Sequence, residues 1–289
     1  MLKKNLVKTV FLGYGLLGLF PVITSMKGTS GNSIIEEKPL YLTWQKADTV
    51  SQPFVLDSSG FITATESNSA AAPAISLNTN ASKFVKNFLM REDESLQKTK
   101  SRSASYFKMF DEVFSKYGLP VELKYLAVVE SDLKTTALSR VGAKGLWQFM
   151  PTTARDLGLK VSKKCDERTY AYKSTVAAAK YLKDLHAQFD DWLLVIAAYN
   201  AGPVPVSRAI RKSGSKNFWT LQNYLPQERR GHVKRFIGTH YYFEGKGSMV
   251  TLTKAETIKY SKELEEFKSS MQPKEMKKDS VNTIVLNRF

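Results

Sequence analysis

From residue 83 to about residue 245, apolar residues recur at three- and four-residue steps, which is the period of an amphipathic α-helix. The first members of the pattern are phenylalanines: Phe84, Phe88, Phe107, Phe110 and Phe114. We find no convincing strand pattern longer than a few residues in this region. The pattern therefore predicts a mainly α core, which we place at residues 83–247.

Glycine and proline divide this core into separate helices. Gly118 and Pro120 end one helix and begin the next, which carries the sequence VELKYLAVVE. The sequence GLWQFMPTTARDLG predicts a short helix that ends at Gly158. Farther on, WLLVIAAYN is apolar on almost every side, so it predicts a buried helix at the centre of the fold.

The ends of the chain differ from the core in composition. Three lysines precede a mostly apolar, uncharged run at residues 9–23, which is the layout of a secretory signal. We predict a signal peptide at 1–26 and export to the periplasm or cell envelope; the alternative is an uncleaved segment that associates with the membrane. Residues 27–82 are rich in Ser, Thr and Ala without a sustained period, which predicts a disordered linker.

The C-terminal part predicts one more helix and a basic tail. Thr253 and Glu256 stand three residues apart, the spacing of a capping box, and a charged amphipathic sequence follows them. The last residues are basic and weakly patterned. We assign 248–289 to a helical and mobile basic tail.

Charge and cysteine content limit the functions that the chain can have. The formal net charge of +16 suits an anionic partner, but no basic stripe interleaved with aromatic residues indicates nucleic acid. Cys165 is the only cysteine, which excludes an internal disulfide and a multi-cysteine zinc site. As a nucleophile it would need a histidine, the nearest in sequence being His186, so we interpret it as an incidental thiol. We expect no metal, no cofactor and a monomer.

Glu130 is the residue in the core that most clearly suggests chemistry. It follows apolar residues three, four and seven positions earlier, so its carboxyl group lies on an apolar helix face near the helix C-terminus. Burial and the negative end of the helix dipole both favour the protonated form, which would make Glu130 a proton donor. The alternative is an ordinary buried ion pair with a nearby Arg or Lys, such as Arg140 or Lys144.

Three motifs follow in order: Glu-Ser at 130–131, Gly-Leu-x-Gln at 145–148 and Ala-Tyr-Asn at 198–200. With this order and spacing, the chain resembles the lytic transglycosylases that have a goose-lysozyme-like catalytic domain, the SLT domain. Within that family it is similar to the branch of membrane-bound murein transglycosylase D. The resemblance covers about residues 84–245.

The resemblance implies a lysozyme-like helical domain and an enzyme that acts on peptidoglycan glycan strands. Such an enzyme cleaves the bond between N-acetylmuramic acid and N-acetylglucosamine without water and forms a 1,6-anhydro ring. Position by position, Glu130 matches the single catalytic acid and base, with Ser131 as its support. The other residues that match substrate-binding positions are Ser139, Gln148, Met150, Tyr199 and Asn200.

Some residues depart from the family's pattern. Trp147 stands where many relatives have methionine and could add a stacking face for a sugar. His232 stands in place of a tyrosine, and we do not expect it to be the catalytic base. Asp132 would point to a different side of the helix from Glu130, so we do not expect a second catalytic carboxylate. A hydrolytic goose-type-like lysozyme and a non-catalytic cell-wall-binding protein are the alternative functions.

Overall fold

Ten α-helices make up most of residues 72–271, which are the residues that the computed structural model describes. In chain order they are α1 (Thr79–Ser101), α2 (Ser103–Lys116), α3 (Tyr125–Ser131), α4 (Pro151–Asp156), α5 (Ala171–Phe189), α6 (Trp192–Ala201), α7 (Pro203–Ser213), α8 (Phe218–Leu221), α9 (Gln227–Glu244) and α10 (Lys254–Met271). The same residues form no strand and contain only isolated bridges such as the one between Leu138 and Lys144. The prediction of a mainly α fold is confirmed.

Several predicted segments lie outside the described residues. They are the signal peptide at 1–26, the linker up to residue 71 and the tail beyond residue 271. The predicted domain bounds therefore stay predictions. Helix α1 begins at Thr79, before the expected start at residue 83, because the side chain of Asn78 caps it by accepting a hydrogen bond from the Asn80 N–H.

Helix α6 lies at the centre of the fold, as its apolar sequence predicts. Every residue from 193 to 198 is fully buried. Helices α5, α7 and α9 pack around it. Asp191 caps its N-terminus by accepting a hydrogen bond from the Leu194 N–H, and its other carboxylate oxygen accepts one from the Lys254 N–H at 2.6 Å. The central helix is therefore also joined to the start of α10.

Helix α9 is the second long element of the core, and it packs against α1, α3 and α6. Its close approach to α1 depends on Gly238. A Cβ atom at this position would lie 2.7 Å from the Phe88 ring, which is closer than such contacts allow. The absent side chain at residue 238 therefore lets α1 and α9 approach closely.

The start of α10 has the predicted capping pair. The N–H and the hydroxyl of Thr253 both donate to Oε2 of Glu256, at 2.7 and 2.9 Å. The other oxygen of Glu256 accepts a hydrogen bond from the Asn78 side chain at 2.6 Å. One carboxylate thus joins the first and last helices that the structure describes.

None of the helices within residues 72–271 combines the length and the apolar character that crossing a membrane requires.

A buried histidine near the end of α9 makes the fold sensitive to acid. Nε2 of His240 lies 2.8 Å from the Ser248 hydroxyl, and the whole side chain is buried. Burial lowers the pKa of His240 to about 4 from an ordinary value of 6.5. Below its ordinary pKa the unfolded chain takes up a proton that the folded chain refuses until about pH 4, so stability falls as the pH falls through this window.

We expect His240→Gln to remove this part of the acid sensitivity. Between about pH 7 and about pH 4.5, wild type should lose about 2 kcal/mol more free energy of unfolding than the variant loses. Urea unfolding followed by circular dichroism at the two pH values measures the difference. Equal losses in the two proteins would contradict the prediction.

Candidate active site

Glu130 lies in the last turn of α3, a short helix that a 3-10 turn at Val121–Lys124 precedes. The helix ends because Asp132 takes a left-handed conformation, with φ at 50°, and its N–H donates to the Val128 carbonyl. Only 7% of the Glu130 side chain is exposed. The predicted position, a buried carboxyl group near a helix C-terminus, is the one observed.

His232 on α9 is the hydrogen-bond partner that the structure places beside Glu130. Its Nε2 lies 2.9 Å from Oε1 of Glu130, and its side chain is 1% exposed. Lys144, which the ion-pair interpretation offered as a partner, lies 3.2 Å from Asp166 instead. Within residues 72–271 Glu130 forms no ion pair with Arg140 or Lys144, so neither of these two suggested residues is its partner. Sequence reasoning missed the contact because the two residues are 102 positions apart.

Ser131 connects α3 to the loop that follows it. Its side chain is buried, and its hydroxyl lies 3.0 Å from the Ala127 carbonyl and 2.9 Å from the Leu146 carbonyl. The contact with residue 146 holds the loop against the end of the helix that carries Glu130. This position suits a supporting role next to the carboxylate.

The loop between α3 and α4 carries Ser139 and Gln148, and its own hydrogen bonds determine its path. The Ser139 hydroxyl accepts from the Ala143 N–H at 2.9 Å. Nε2 of Gln148 donates to the carbonyls of Gly145 and Ala137, at 2.9 and 3.2 Å. These bonds hold Gln148 in a left-handed conformation with φ at 48°, which few residues adopt without support.

Arg168 also stabilises the loop between α3 and α4. Its guanidinium group is buried and donates to the carbonyls of Gly142 and Phe149, at 2.7 and 2.9 Å. Two further hydrogen bonds join it to the carboxylate of Asp166. The hydrogen bonds from Arg168, with those from Lys144, lower the pKa of Asp166 to about 2. The buried guanidinium charge of Arg168 is therefore paired with Asp166, and its hydrogen bonds to the two carbonyls hold the loop in place.

Trp147 contradicts the suggestion of a stacking face for a sugar. It is fully buried, with its ring 5.2 Å from Phe110 and 5.6 Å from Phe114 between centroids. Its indole N–H donates to the Thr175 hydroxyl at 3.0 Å. The loop turns this side chain into the core because an indole buries a large apolar area once its N–H has a partner.

Tyr199 and Asn200 occupy the C-terminal end of α6, and Tyr199 faces the loop. The Tyr199 hydroxyl donates to the Trp147 carbonyl at 2.8 Å. Burial raises the pKa of Tyr199 well above its usual value, and the nearby charge of Glu130 raises it further. Asn200 is half-buried. The third motif therefore contacts the second through Trp147, and the second contacts the first through the Ser131–Leu146 hydrogen bond.

Met150 lies at the end of the loop, at the N-cap position of α4, and its side chain makes no capping hydrogen bond. Its side chain is 38% exposed, so it does not pack as an ordinary core methionine. It is available for contact with a ligand.

Two other carboxylates lie near Glu130 in the sequence or on the helix that carries His232. Asp132 is half-exposed and lies 3.2 Å from the Lys134 ammonium. Glu228, one turn before His232 on α9, has a buried Oε1 atom without a hydrogen-bond partner in the described part of the chain.

Cys165 lies 3.9 Å from the Tyr170 hydroxyl, while the ring of His186 stacks on Trp192. In residues 72–271, no His, Cys, Asp and Glu side chains are grouped as a metal ion would require.

The part of the chain that contains this site matches a known family model. Residues 109–222 match the family model of the transglycosylase SLT domain. This segment contains Glu130, the loop with Ser139 and Gln148, and the Tyr199–Asn200 pair. Residues 109–222 are thus similar to the transglycosylase SLT domain, and the predicted resemblance to the lytic transglycosylases is confirmed.

Among curated proteins, the chain is 35% identical over 153 residues to the membrane-bound lytic murein transglycosylase D of Escherichia coli K12, an alignment that covers 51% of this chain and 33% of the relative. It is 35% identical over 141 residues to the peptidoglycan transglycosylase gp16 of Escherichia phage T7, covering 48% of this chain and 10% of that protein. The matched part thus spans about a third of the first relative and a tenth of the second.

Among solved structures, the 70 kDa soluble lytic transglycosylase of Escherichia coli aligns with a TM-score of 0.44 and 22% identity. The alignment covers 63% of this chain and 33% of that chain.

Gly145 provides a test of how tightly the loop is packed. Its φ is +86°, and a Cβ atom would lie 1.9 Å from the Arg168 carbonyl oxygen. Gly142 has a similar φ of +89°, but nothing lies within 4 Å of its Cβ position. Because both share the left-handed strain, we expect Gly145→Ala to lower the free energy of unfolding by about 2 kcal/mol more than Gly142→Ala. Urea unfolding of both variants measures this, and equal losses would show that the loop has room there.

Asp166 provides a test of its ion pair with Arg168, the residue that holds the loop. Its folded pKa of about 2 lies below the ordinary value of 3.8, so its contribution to stability is present above pH 3.8 and is lost as the pH falls toward 2. We expect Asp166→Asn to be less stable than wild type at neutral pH and to lose less stability across this acid window. Thermal unfolding at several acid pH values measures both effects. A variant that follows the wild-type pH dependence would contradict the assignment.

Proposed function

We propose that this protein is a lytic transglycosylase that cleaves peptidoglycan glycan strands, with Glu130 as its acid and then its base. The observation that carries the proposal is the buried carboxyl group of Glu130, which contacts His232 and forms no direct ion pair with Lys or Arg within residues 72–271, and which lies where residues of the three motifs contact each other. A buried carboxyl group that no direct ion pair to Lys or Arg stabilises is costly, which favours a chemical role. The relatives' names indicate the same substrate class.

The proposed reaction needs only one carboxyl group. Protonated Glu130 donates its proton to the oxygen between N-acetylmuramic acid and N-acetylglucosamine, and the bond to the anomeric carbon breaks. The substrate's own acetamido group supports the positive charge at that carbon. Glu130, now a carboxylate, takes the proton from the 6-hydroxyl of the same sugar, whose oxygen bonds to the anomeric carbon and closes the anhydro ring. No water is consumed, and Glu130 ends the cycle protonated.

The position of Asp132 favours this reaction over hydrolysis. Hydrolytic glycosidases use two carboxyl groups about 5 to 9.5 Å apart, one of which attacks or activates water. Here Asp132, the neighbour in sequence, is turned toward Lys134. A hydrolytic lysozyme is thus the less favoured function for the described site.

The other site residues take supporting or binding roles in the proposal. Ser131 holds the loop against α3 through the Leu146 carbonyl. The loop presents Ser139, Gln148 and the exposed Met150 to the sugar beside the cleaved bond. Tyr199 and Asn200 close the site from the end of α6. Because peptidoglycan lies in the cell envelope, the proposal also requires export, which the predicted signal at 1–26 would provide.

Replacing Glu130 with Gln tests the proposal. The amide keeps the shape of the side chain but carries no transferable acidic proton, so we expect release of muropeptides to fall by at least about 100-fold. The folded state should persist, because the amide still accepts a hydrogen bond from His232. Asp132→Asn is the matched control and should keep wild-type activity.

Mass spectrometry of the products separates the alternatives. Wild type should release muropeptides lighter than hydrolytic products by the mass of one water molecule. The heavier products would indicate a lysozyme, and no release at all would indicate a wall-binding protein. Full activity in Glu130→Gln would overturn the assignment of the acid.

A further inference from the structure

We propose that His232 is a positioning residue that holds Oε1 of Glu130 and leaves Oε2 to exchange the proton with the substrate. The inference rests on the proposed function and adds a residue to its machinery. The observation behind it is the 2.9 Å contact between Nε2 and Oε1, with both side chains almost fully buried.

The backbone around His232 restrains the imidazole. It lies in α9, where Val233, Phe236 and Ile237 are also buried, and α9 packs directly against α3. With 1% of its side chain exposed, the ring cannot turn toward solvent without opening this packing. The donor is therefore held in position before any substrate arrives.

The hydrogen bonds determine which ring nitrogen carries the proton. An ionised carboxylate can only accept, so Nε2 must donate to it. Nδ1 is buried and has no hydrogen-bond partner within residues 72–271, and neither does Oε1 of Glu228 one turn earlier, so these two atoms do not bond each other. A proton on Nδ1 would be a buried donor without an acceptor, which is costly. The hydrogen-bond geometry therefore favours the tautomer with its proton on Nε2.

This tautomer suits both halves of the reaction. When Glu130 carries its proton on Oε2, Nε2–H still donates to Oε1. After the proton leaves, the same bond becomes charge-assisted and stabilises the carboxylate between the two proton transfers. Tyr199 does not replace it, because its hydroxyl donates to the Trp147 carbonyl. His232 thus stabilises the state of Glu130 that the mechanism forms and then uses.

Two substitutions separate the hydrogen bond from simple packing. His232→Phe fills the space without a donor, and His232→Gln keeps an N–H group that can reach Glu130. A hydrogen bond to a charged group is worth roughly 10- to 100-fold, so we expect Phe to lower kcat by that factor with little change in KM. Gln should recover most of the lost rate. His186→Phe, on a ring stacked against Trp192, is the control and should leave both constants unchanged.

Nuclear magnetic resonance tests the tautomer without substrate. The chain has three histidines, so His232→Gln assigns the signals of His232 in the histidine-labelled full chain in detergent solution. We expect a proton on Nε2 and none on Nδ1. A ring that carries its proton on Nδ1 instead would overturn the inference, whatever the activity.

The kinetic outcomes separate this inference from the proposed function. An active wild type, an inactive Glu130→Gln and an undiminished His232→Phe would contradict the role of His232 alone. A Gln variant as impaired as the Phe variant, with both folded by circular dichroism, would also contradict it. A wild type that releases no anhydro products would contradict the proposed function itself.

Discussion

The burial of α6 is the constraint on which the rest of the structure depends. A helix that is apolar on every side gains stability only when other helices cover its whole circumference. Helices α5, α7 and α9 cover α6, and α9 also packs against α3. The packing that hides α6 therefore also sets His232 beside Glu130 and Tyr199 beside the loop at residues 132–150.

The site is a small set of buried polar groups. Without hydrogen-bond partners, their burial would lower the stability of the fold. Each group is satisfied by a specific partner: the carboxyl of Glu130 by His232, the hydroxyl of Ser131 by the Leu146 carbonyl, and the guanidinium of Arg168 by Asp166 and two loop carbonyls. Buried polar groups with partners are rigid because breaking a bond leaves an unsatisfied group. Rigidity is what a reaction with one acid and base requires, since the same carboxyl must meet two different oxygens.

Much of the fold could be predicted from local patterns. The spacing of Phe107, Phe110 and Phe114 predicts α2, and the Thr253–Glu256 pair correctly predicts the start of α10. Local chemistry also placed Glu130 near a helix end. The prediction of an exposed Trp147 failed, because the neighbouring sequence does not decide whether an indole in a loop faces solvent or the core. The distant residues Phe114 and Thr175 decide its orientation.

By itself, the sequence determined the helical periods, the apolar α6 and the order of the three motifs that the SLT family model matches. The helical periods depend on residues within a few turns of each other, whose interactions are the same in any fold, and the order of the motifs is read directly along the chain. Only the tertiary structure decided that the partner of Glu130 is His232 and that the cation of Lys144 binds Asp166. The reason is physical: a buried charge or proton donor must pair with whatever the packing brings near it, and that neighbour can lie a hundred residues away.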